Sequence, residues 1–316
     1  MTAVRWGFLG AGFVASRGVA PVVHQAESAV LQVVAARDVE RARALEPQRA
    51  VASYDEVLAA DDVDAVYISL PNDAHLRWVL AAMEAGKHVL CEKPLALDAR
   101  EVEQMTAAAE KAGVLLVEAA WNRWHPRTHR VAELLAGVDG GFDVRAWFTF
   151  SGVPADNYRL DPARGGGALL DVGVYATAAA LMALGPDPLV VSVDRENGPT
   201  GVDLTTSAQL RSAQGTATVL GSFVQPESQG WTLSAPGLSL DLPHPAFTAW
   251  REAASLRVVA DGVERVEEFA ACDPYLLMVE SVSRRIRGED AWVLPLSTSL
   301  SVARTIEAIA RTEEEP

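Results

Sequence analysis

The stretch Gly10-Ala11-Gly12-Phe13-Val14-Ala15 constrains this chain more than any other. It follows an alternating apolar run, Val4–Leu9, and precedes a helical pattern. In G-x-G-x-x-A at a strand-to-helix junction, the first glycine permits the tight turn and the second lets a pyrophosphate approach the backbone. The alanine lets helix and strand pack closely, and the helix N-terminus faces the phosphates. The motif alone is a weak signal, and its place at the first strand-helix junction gives it weight. Gly10, Gly12, Phe13 and Val14 are therefore cofactor-binding candidates. Pro21 interrupts the helical pattern that follows, so this helix should end or kink near it.

Strand-like runs at residues 29–36, 65–70, 88–91 and 114–118 alternate with helical patterns at 55–60, 76–85 and 98–112. This βα alternation, counted at six strands, implies a parallel, doubly wound sheet of the Rossmann type. The second strand of such a sheet normally ends in an acid that binds the adenosine ribose. Here Arg37 stands there, with Arg41 one turn further on. Two guanidiniums beside a helix start suit a 2′-phosphate, which favours NADP over NAD. Asp38 is the counter-signal: it either chelates a ribose, which keeps NAD possible, or caps the next helix. Leu70, Pro71, Asn72 and His75 fall at the carboxyl edge of the sheet, where open α/β sheets bind ligands. So does Cys91-Glu92-Lys93-Pro94-Leu95, which ends the strand at residues 88–91 and places a lysine at that edge. Pro94 forces a turn and admits a cis Lys93–Pro94 bond.

Length points to two domains, divided as residues 1–120 and 121–316. The net charge of −15, from 42 acidic and 27 basic side chains, argues against nucleic acid or an anionic membrane as partner. Two cysteines make no disulfide framework, which fits a cytoplasmic location. No signal-peptide pattern, apolar run of membrane-spanning length or metal-ligand cluster stands out. The tail, residues 313–316, is expected to be frayed.

From Trp121 the composition changes. Trp121-Asn122-Arg123-Trp124-His125 is aromatic and basic, and eight strand-like segments follow between residues 144 and 269. Short connections make this sheet largely antiparallel. Helical patterns lie at 127–136, 168–184, 273–286 and 297–310. The second domain is thus α+β, with one sheet face covered by helices and the other open to a second subunit; a homodimer is expected from symmetry base rates. Within it, Gly165-Gly166-Gly167 precedes a helix carrying Asp171 and Tyr175, four residues apart and so on one face. An acid and a phenol side by side can transfer or orient a proton.

The Gly10–Ala15 motif, Glu92-Lys93-Pro94, Asn157-Tyr158-Arg159 and the stretch from Gly165 to Tyr175 occur in that order. The chain resembles the Gfo/Idh/MocA family of nicotinamide-dependent oxidoreductases over nearly its whole length. The resemblance implies that Lys93 contacts the reacting oxygen and the nicotinamide, beside Glu92, and that Asp171 belongs to the site. Many members carry histidine where this chain has Tyr175. Tyrosine there is similar to glucose–fructose oxidoreductase and the dimeric dihydrodiol dehydrogenases. The expected activity is hydride transfer between NADP and a carbinol or carbonyl carbon of a sugar, polyol or cyclic diol. Tyr175 is expected to move the proton, Lys93 to polarise the oxygen, and Asp171 to orient the substrate hydroxyl or the lysine. Trp121, Arg123, Trp124, His125, Asn157, Tyr158 and Arg159 are the substrate-binding candidates. Redox-assisted glycoside cleavage on the same scaffold and a non-catalytic dinucleotide-binding regulator are the alternatives.

Overall fold

A computed structural model describes residues 2–312; the tail at 313–316 lies outside them. The chain runs β1 (Val4–Leu9), a π-helical turn at Ala15–Val19, α1 (Ala20–Val23), β2 (Ala29–Ala35), α2 (Val39–Arg43), β3 (Arg49–Val51) and α3 (Tyr54–Leu58). Then come β4 (Ala65–Ile68), α4 (His75–Glu84), β5 (His88–Cys91), α5 (Ala99–Ala112) and β6 (Leu116–Glu118). Pro21 falls in the first turn of α1, where the π-helical turn gives way to α-helix.

These six strands form one parallel sheet in the order β3-β2-β1-β4-β5-β6. Every residue of β4 is buried, the mark of a strand covered on both faces. The strand order reverses direction at β1, so the carboxyl ends of β1 and β4 flank the topological switch point. The sequence positions five of the six strands. The sixth, β3, is three residues long and begins exposed, too short to leave a period in the sequence.

The remaining elements are α6 (Pro126–Leu135), β7 (Phe142–Ser151), α7 (Val174–Leu184), β8 (Leu189–Asn197), β9 (Asp203–Ser212), β10 (Gly215–Ser222), β11 (Val224–Ala235) and β12 (Leu238–Leu242). β13 (Ala254–Ala260), β14 (Val263–Phe269), α8 (Pro274–Ile286) and α9 (Leu296–Arg311) complete the chain. The second sheet has eight strands in the order β14-β13-β12-β11-β7-β10-β9-β8, and only the β7–β10 pair is parallel. Alternation along the strands sets its two faces. Val144, Ala146, Leu210, Val219, Leu233 and Val258 point into a core with α6, α7 and the later part of α9. Arg145, Gln209 and Thr218 point the other way and are exposed. The stretch Pro162–Leu184, though interrupted by Arg164 and Asp171, is long and apolar enough to cross a membrane by length and composition alone. Of its most apolar 18-residue window 72% is buried inside the fold, as befits a core helix.

Two compact units emerge from the contacts. The first comprises residues up to Ala96, Arg100–Trp124 and Asp273–Ser299; the second comprises Leu97–Ala99, His125–Cys272 and the residues from Leu300 onward. The single division at 120/121 places α8 with the later residues, whereas its contacts lie with the first unit. Trp6 Nε1 donates to Ser283 Oγ at 3.1 Å, and Tyr275 stacks on Trp121 at 4.6 Å. Such a return is a long-range contact, invisible to a pattern read along the chain.

Candidate functional site

In the first unit the carboxyl ends of β1, β4, β5 and β6 present four loops. Gly10 turns the chain out of β1 at φ +103°, and a Cβ there would lie 2.4 Å from the Ser69 carbonyl oxygen. A Cβ on Gly12 would meet nothing nearer than 3.8 Å. Crowding within the protein therefore explains Gly10 but not Gly12, where a Cβ would make only ordinary contact with Ser69. Phe13 beside it is 77% exposed. Arg41 Nη2 donates to the Ala11 carbonyl at 2.8 Å, tying α2 to this loop. Arg37 and Arg41 both act on the Tyr54 phenol: burial raises its pKa and the two cations pull it down. Tyr54 meets Trp78 edge-on at 4.9 Å, and the Arg77 guanidinium lies 4.8 Å above the Trp78 ring. Asp38 caps α2, its Oδ1 accepting from Glu40 N at 3.0 Å.

Around Lys93 the loop is held from three sides. The Lys93–Pro94 bond is cis, and Lys93 itself is half-buried. His75 is fully buried, with Nδ1 3.0 Å from the Pro94 carbonyl and Nε2 2.9 Å from that of Leu70. Burial favours its neutral ring, which donates to one of the two. Expected to contact cofactor, His75 instead joins the β4 and β5 loops, with no exposed atom. Leu70 and Pro71 are half-buried, and Asn72 is buried at the start of a short 3₁₀ turn. Glu92 also points inward. Its Oε1 accepts from the Tyr67 hydroxyl at 2.6 Å, and burial lifts its pKa to about 7, against the pull of Tyr67 and Lys93.

A titration prediction follows for Glu92. Its folded pKa lies above the unfolded value, so its contribution to stability is full below about pH 4.5 and is lost as pH rises through about 7. Glu92→Gln removes that loss. We expect its melting temperature to gain on wild type between pH 5 and pH 8, by the equivalent of roughly 2 kcal/mol. Parallel melting curves across that range would sink the assignment.

The aromatic–basic stretch is mostly interior. Trp121 has one face stacked on Tyr275, and Trp124 is buried edge-on to Trp292. Arg123 is partly exposed, but its Nε is buried without a hydrogen-bond partner. His125 caps α6 through Nδ1, which accepts from Arg127 N at 3.0 Å. Burial, with Arg127 and His129, lowers its pKa to about 4. Their exposures, 6%, 4% and 4% for Trp121, Trp124 and His125, are comparable with the 8% of Asp171 and of Tyr175, and all three stay substrate-binding candidates.

In the second unit the expected residues do gather. Asp171 sits in a π-helical turn, Leu169–Gly173, that leads into α7 and Tyr175. Asp203 steadies that turn, accepting from Leu169 N at 2.8 Å and Thr206 Oγ1 at 2.7 Å. Arg159 Nε donates to Asp171 Oδ2 at 2.7 Å, and its guanidinium lies 5.0 Å above the Tyr158 ring. Burial works against the Arg159 charge, yet Asp171, Tyr158 and Tyr175 more than offset it and its pKa is raised. Asn157 Oδ1 caps the same short turn by accepting from Arg159 N at 3.0 Å. Tyr175 packs against Phe148 at 5.4 Å and Phe247 at 6.0 Å. The Arg159–Asp171 pair, Tyr67, Tyr54 and Trp78 are missing from the sequence reading. Arg159, in the Asn157-Tyr158-Arg159 motif, and Asp171 were each named there, but not their contact. Among the described residues, no group of three or more His, Cys, Asp or Glu is placed to hold a metal ion.

A glycine loop at the switch point of a parallel sheet, with a lysine at a neighbouring strand end, defines a dinucleotide-binding oxidoreductase. The comparisons agree. Residues 4–119 match the GFO/IDH/MocA oxidoreductase family with its NAD-binding Rossmann fold, and residues 142–237 match the family's C-terminal domain. The NADP(+)-dependent D-xylose 1-dehydrogenase 2 of Haloferax volcanii is 38% identical over 98% of this chain and 97% of its own. The trans-1,2-dihydrobenzene-1,2-diol dehydrogenase of Mus musculus is 37% identical over 70% and 68%. A 3-ketoreductase from Actinomadura kijaniata, solved with NADP and TDP-benzene, superposes with a TM-score of 0.90 at 27% identity, covering 98% of this chain and 97% of that one. The chain belongs to the GFO/IDH/MocA family of oxidoreductases.

Proposed function

We propose that the protein is an NADP-linked oxidoreductase that interconverts a carbinol and a carbonyl on a sugar or cyclic diol. The single observation that carries the cofactor reading is the glycine loop: Gly10 is required by the protein's own packing, whereas a side chain at Gly12 would make only ordinary contact with Ser69, so the protein's packing does not require that glycine. The xylose dehydrogenase, the diol dehydrogenase and the NADP-bound ketoreductase support the cofactor and the substrate class. Gly10, Gly12, Phe13 and Val14 would receive the pyrophosphate, and Arg37 and Arg41 the 2′-phosphate. Asp38 is occupied as a helix cap, which favours NADP over NAD. Leu70, Pro71 and Asn72 would line the nicotinamide half, with Glu92 and His75 acting from behind the loops. Bound there, the nicotinamide gives or takes a hydride at C4.

The protein's own part is to hold the reacting oxygen and move its proton. Lys93 polarises the oxygen. Tyr175, whose phenol interacts electrostatically with the Arg159 cation, gives or takes the proton. Asp171, oriented by Arg159, fixes the substrate hydroxyl. Tyr158, Arg159 and the Asn157 amide offer the aromatic face and donors that a sugar ring or diol accepts. We assign the exposed face of the eight-stranded sheet to pairing with a second copy, which gel filtration at twice the chain mass would support. The acidic charge and the small number of cysteines, two in the whole chain, favour a cytoplasmic location without nucleic-acid or membrane partners.

The test is a fluorescence titration of wild type and Arg37→Ala with NADPH and NADH. Wild type is expected to bind NADPH more tightly, by tenfold or more, about 1.4 kcal/mol. Arg37→Ala should lose that preference and keep its NADH affinity. Equal or tighter NADH binding by wild type would hand the ribose to Asp38 and overturn the NADP assignment.

A further inference from the structure

Glu118 has no part in the reading above, and its setting is hard to explain as packing alone. It ends β6 and lies in register with Cys91, so it stands beside the strand end that carries Glu92 and Lys93. The residue is 5% exposed. Its Oε1 accepts from Leu95 N at 3.0 Å, closing the far side of the Lys93–Pro94 turn. Burial raises its pKa, and the Ser299 hydroxyl, the Leu95 N–H and the charges of Lys93 and Arg123 pull against that rise; Arg123 brings a buried Nε with no hydrogen-bond partner. Burying a carboxylate costs far more than burying a neutral amide. A glutamine would accept the Leu95 N–H equally well. A carboxylate at this place answers the two cations beside it, Lys93 and Arg123, in a way that a glutamine does not.

We propose that Glu118 is a positioning residue for Lys93: its hydrogen bond fixes the loop exit, and its carboxylate, shared with Arg123, holds the Lys93 ammonium in place and protonated. This rests on Lys93 as the group that polarises the reacting oxygen. Within the first unit, Lys93 is faced by Glu92 from its own strand end and by Glu118 from β6. Tyr67 of β4 bears on it through Glu92, Arg123 through Glu118, and His75 of α4 through the Pro94 carbonyl. Removing an anion beside a lysine weakens its hold on the proton. Removing a competing cation strengthens it.

Glu118→Gln separates the two roles, because it keeps the acceptor for Leu95 N and deletes the charge. The direct readout is the pH dependence of Lys93 acetylation by acetic anhydride in the cofactor-free protein, followed residue by residue by mass spectrometry. The midpoint for Lys93 should fall by about one pH unit in Glu118→Gln and return toward wild type in Glu118→Asp. In Arg123→Met, which also serves should Glu118→Gln not fold, it should rise. With turnover, Glu118→Gln should lower kcat about tenfold or more and leave the NADPH Kd within about twofold. An unmoved Lys93 midpoint in both Glu118→Gln and Arg123→Met overturns the proposal. Full kcat in Lys93→Met removes the reading of Lys93 itself, a failure that the acetylation midpoints distinguish from that of Glu118.

Discussion

Tyr175→Phe is expected to lower kcat by roughly 10²–10⁴-fold, the usual worth of a positioned proton donor, while NADPH binding changes by less than about twofold. The substitution is clean because the ring is already fixed by its neighbours. Tyr175 is 8% exposed and packs on Phe148 and Phe247. Phe247 is pinned in turn: its N–H donates to Gln229 Oε1 at 3.0 Å, and Arg127 Nη2 donates to the carbonyls of Pro245 and Ala246 at 2.7 and 2.8 Å. A phenylalanine therefore keeps the same packing and loses only the hydroxyl. Lys93→Met is the companion variant, since methionine replaces most of the lysine stem and removes the charge. If tyrosine moves the proton and lysine polarises the oxygen, Tyr175→Phe should abolish the pH dependence of the chemical step, and Lys93→Met should slow it while retaining that dependence. Full kcat in Tyr175→Phe together with none in Lys93→Met would make lysine the acid–base group.

What the sequence made legible follows from how far each signal reaches along the chain. The β1 glycine motif, the lysine ending β5 and the eight strands of the second sheet are local patterns of period two or fixed spacing, and the structure has them where the pattern places them. Asp171 and Tyr175 were legible as a pair for the same reason. Arg159 was legible as a site residue, but not as the partner of Asp171, because the two are twelve positions apart, with short turns at Tyr158–Leu160 and Pro162–Arg164 on the way. Glu118 and Tyr67 were illegible: each reads as one more residue of a buried strand, and only strand order brings them beside β5. Trp121 and Trp124 have packing partners that the sequence did not show. A tryptophan followed by arginine and histidine looks like a binding surface, yet their partners, Tyr275 and Trp292, arrive from a helix and loop more than 150 residues later.

Gly10→Ala and Gly12→Ala should fail in different ways, and the difference tests the cofactor site without any turnover. Gly10 is fixed on three sides. Its N–H donates to the Ala35 carbonyl at 2.9 Å, Ser69 N donates to the Leu9 carbonyl at 3.0 Å, and a Cβ would press on the Ser69 carbonyl oxygen at 2.4 Å and on Leu70 Cδ2 at 3.0 Å. The close atom is backbone at the end of β4, so relief requires moving one strand end against another. Holding alanine at φ +103° adds about 1–3 kcal/mol. Gly10→Ala should thus lower the melting temperature of the cofactor-free protein and bind NADPH at least tenfold more weakly. Gly12→Ala meets no protein atom within 3.8 Å, so its cofactor-free melting temperature should match wild type. Its methyl group nevertheless occupies the space assigned to the pyrophosphate. NADPH affinity should fall tenfold or more, about 1.4 kcal/mol, and NADPH should protect it from heat less than it protects wild type. Wild-type affinity in Gly12→Ala would mean that the dinucleotide does not lie against that glycine, and the cofactor assignment for this loop would fall with it.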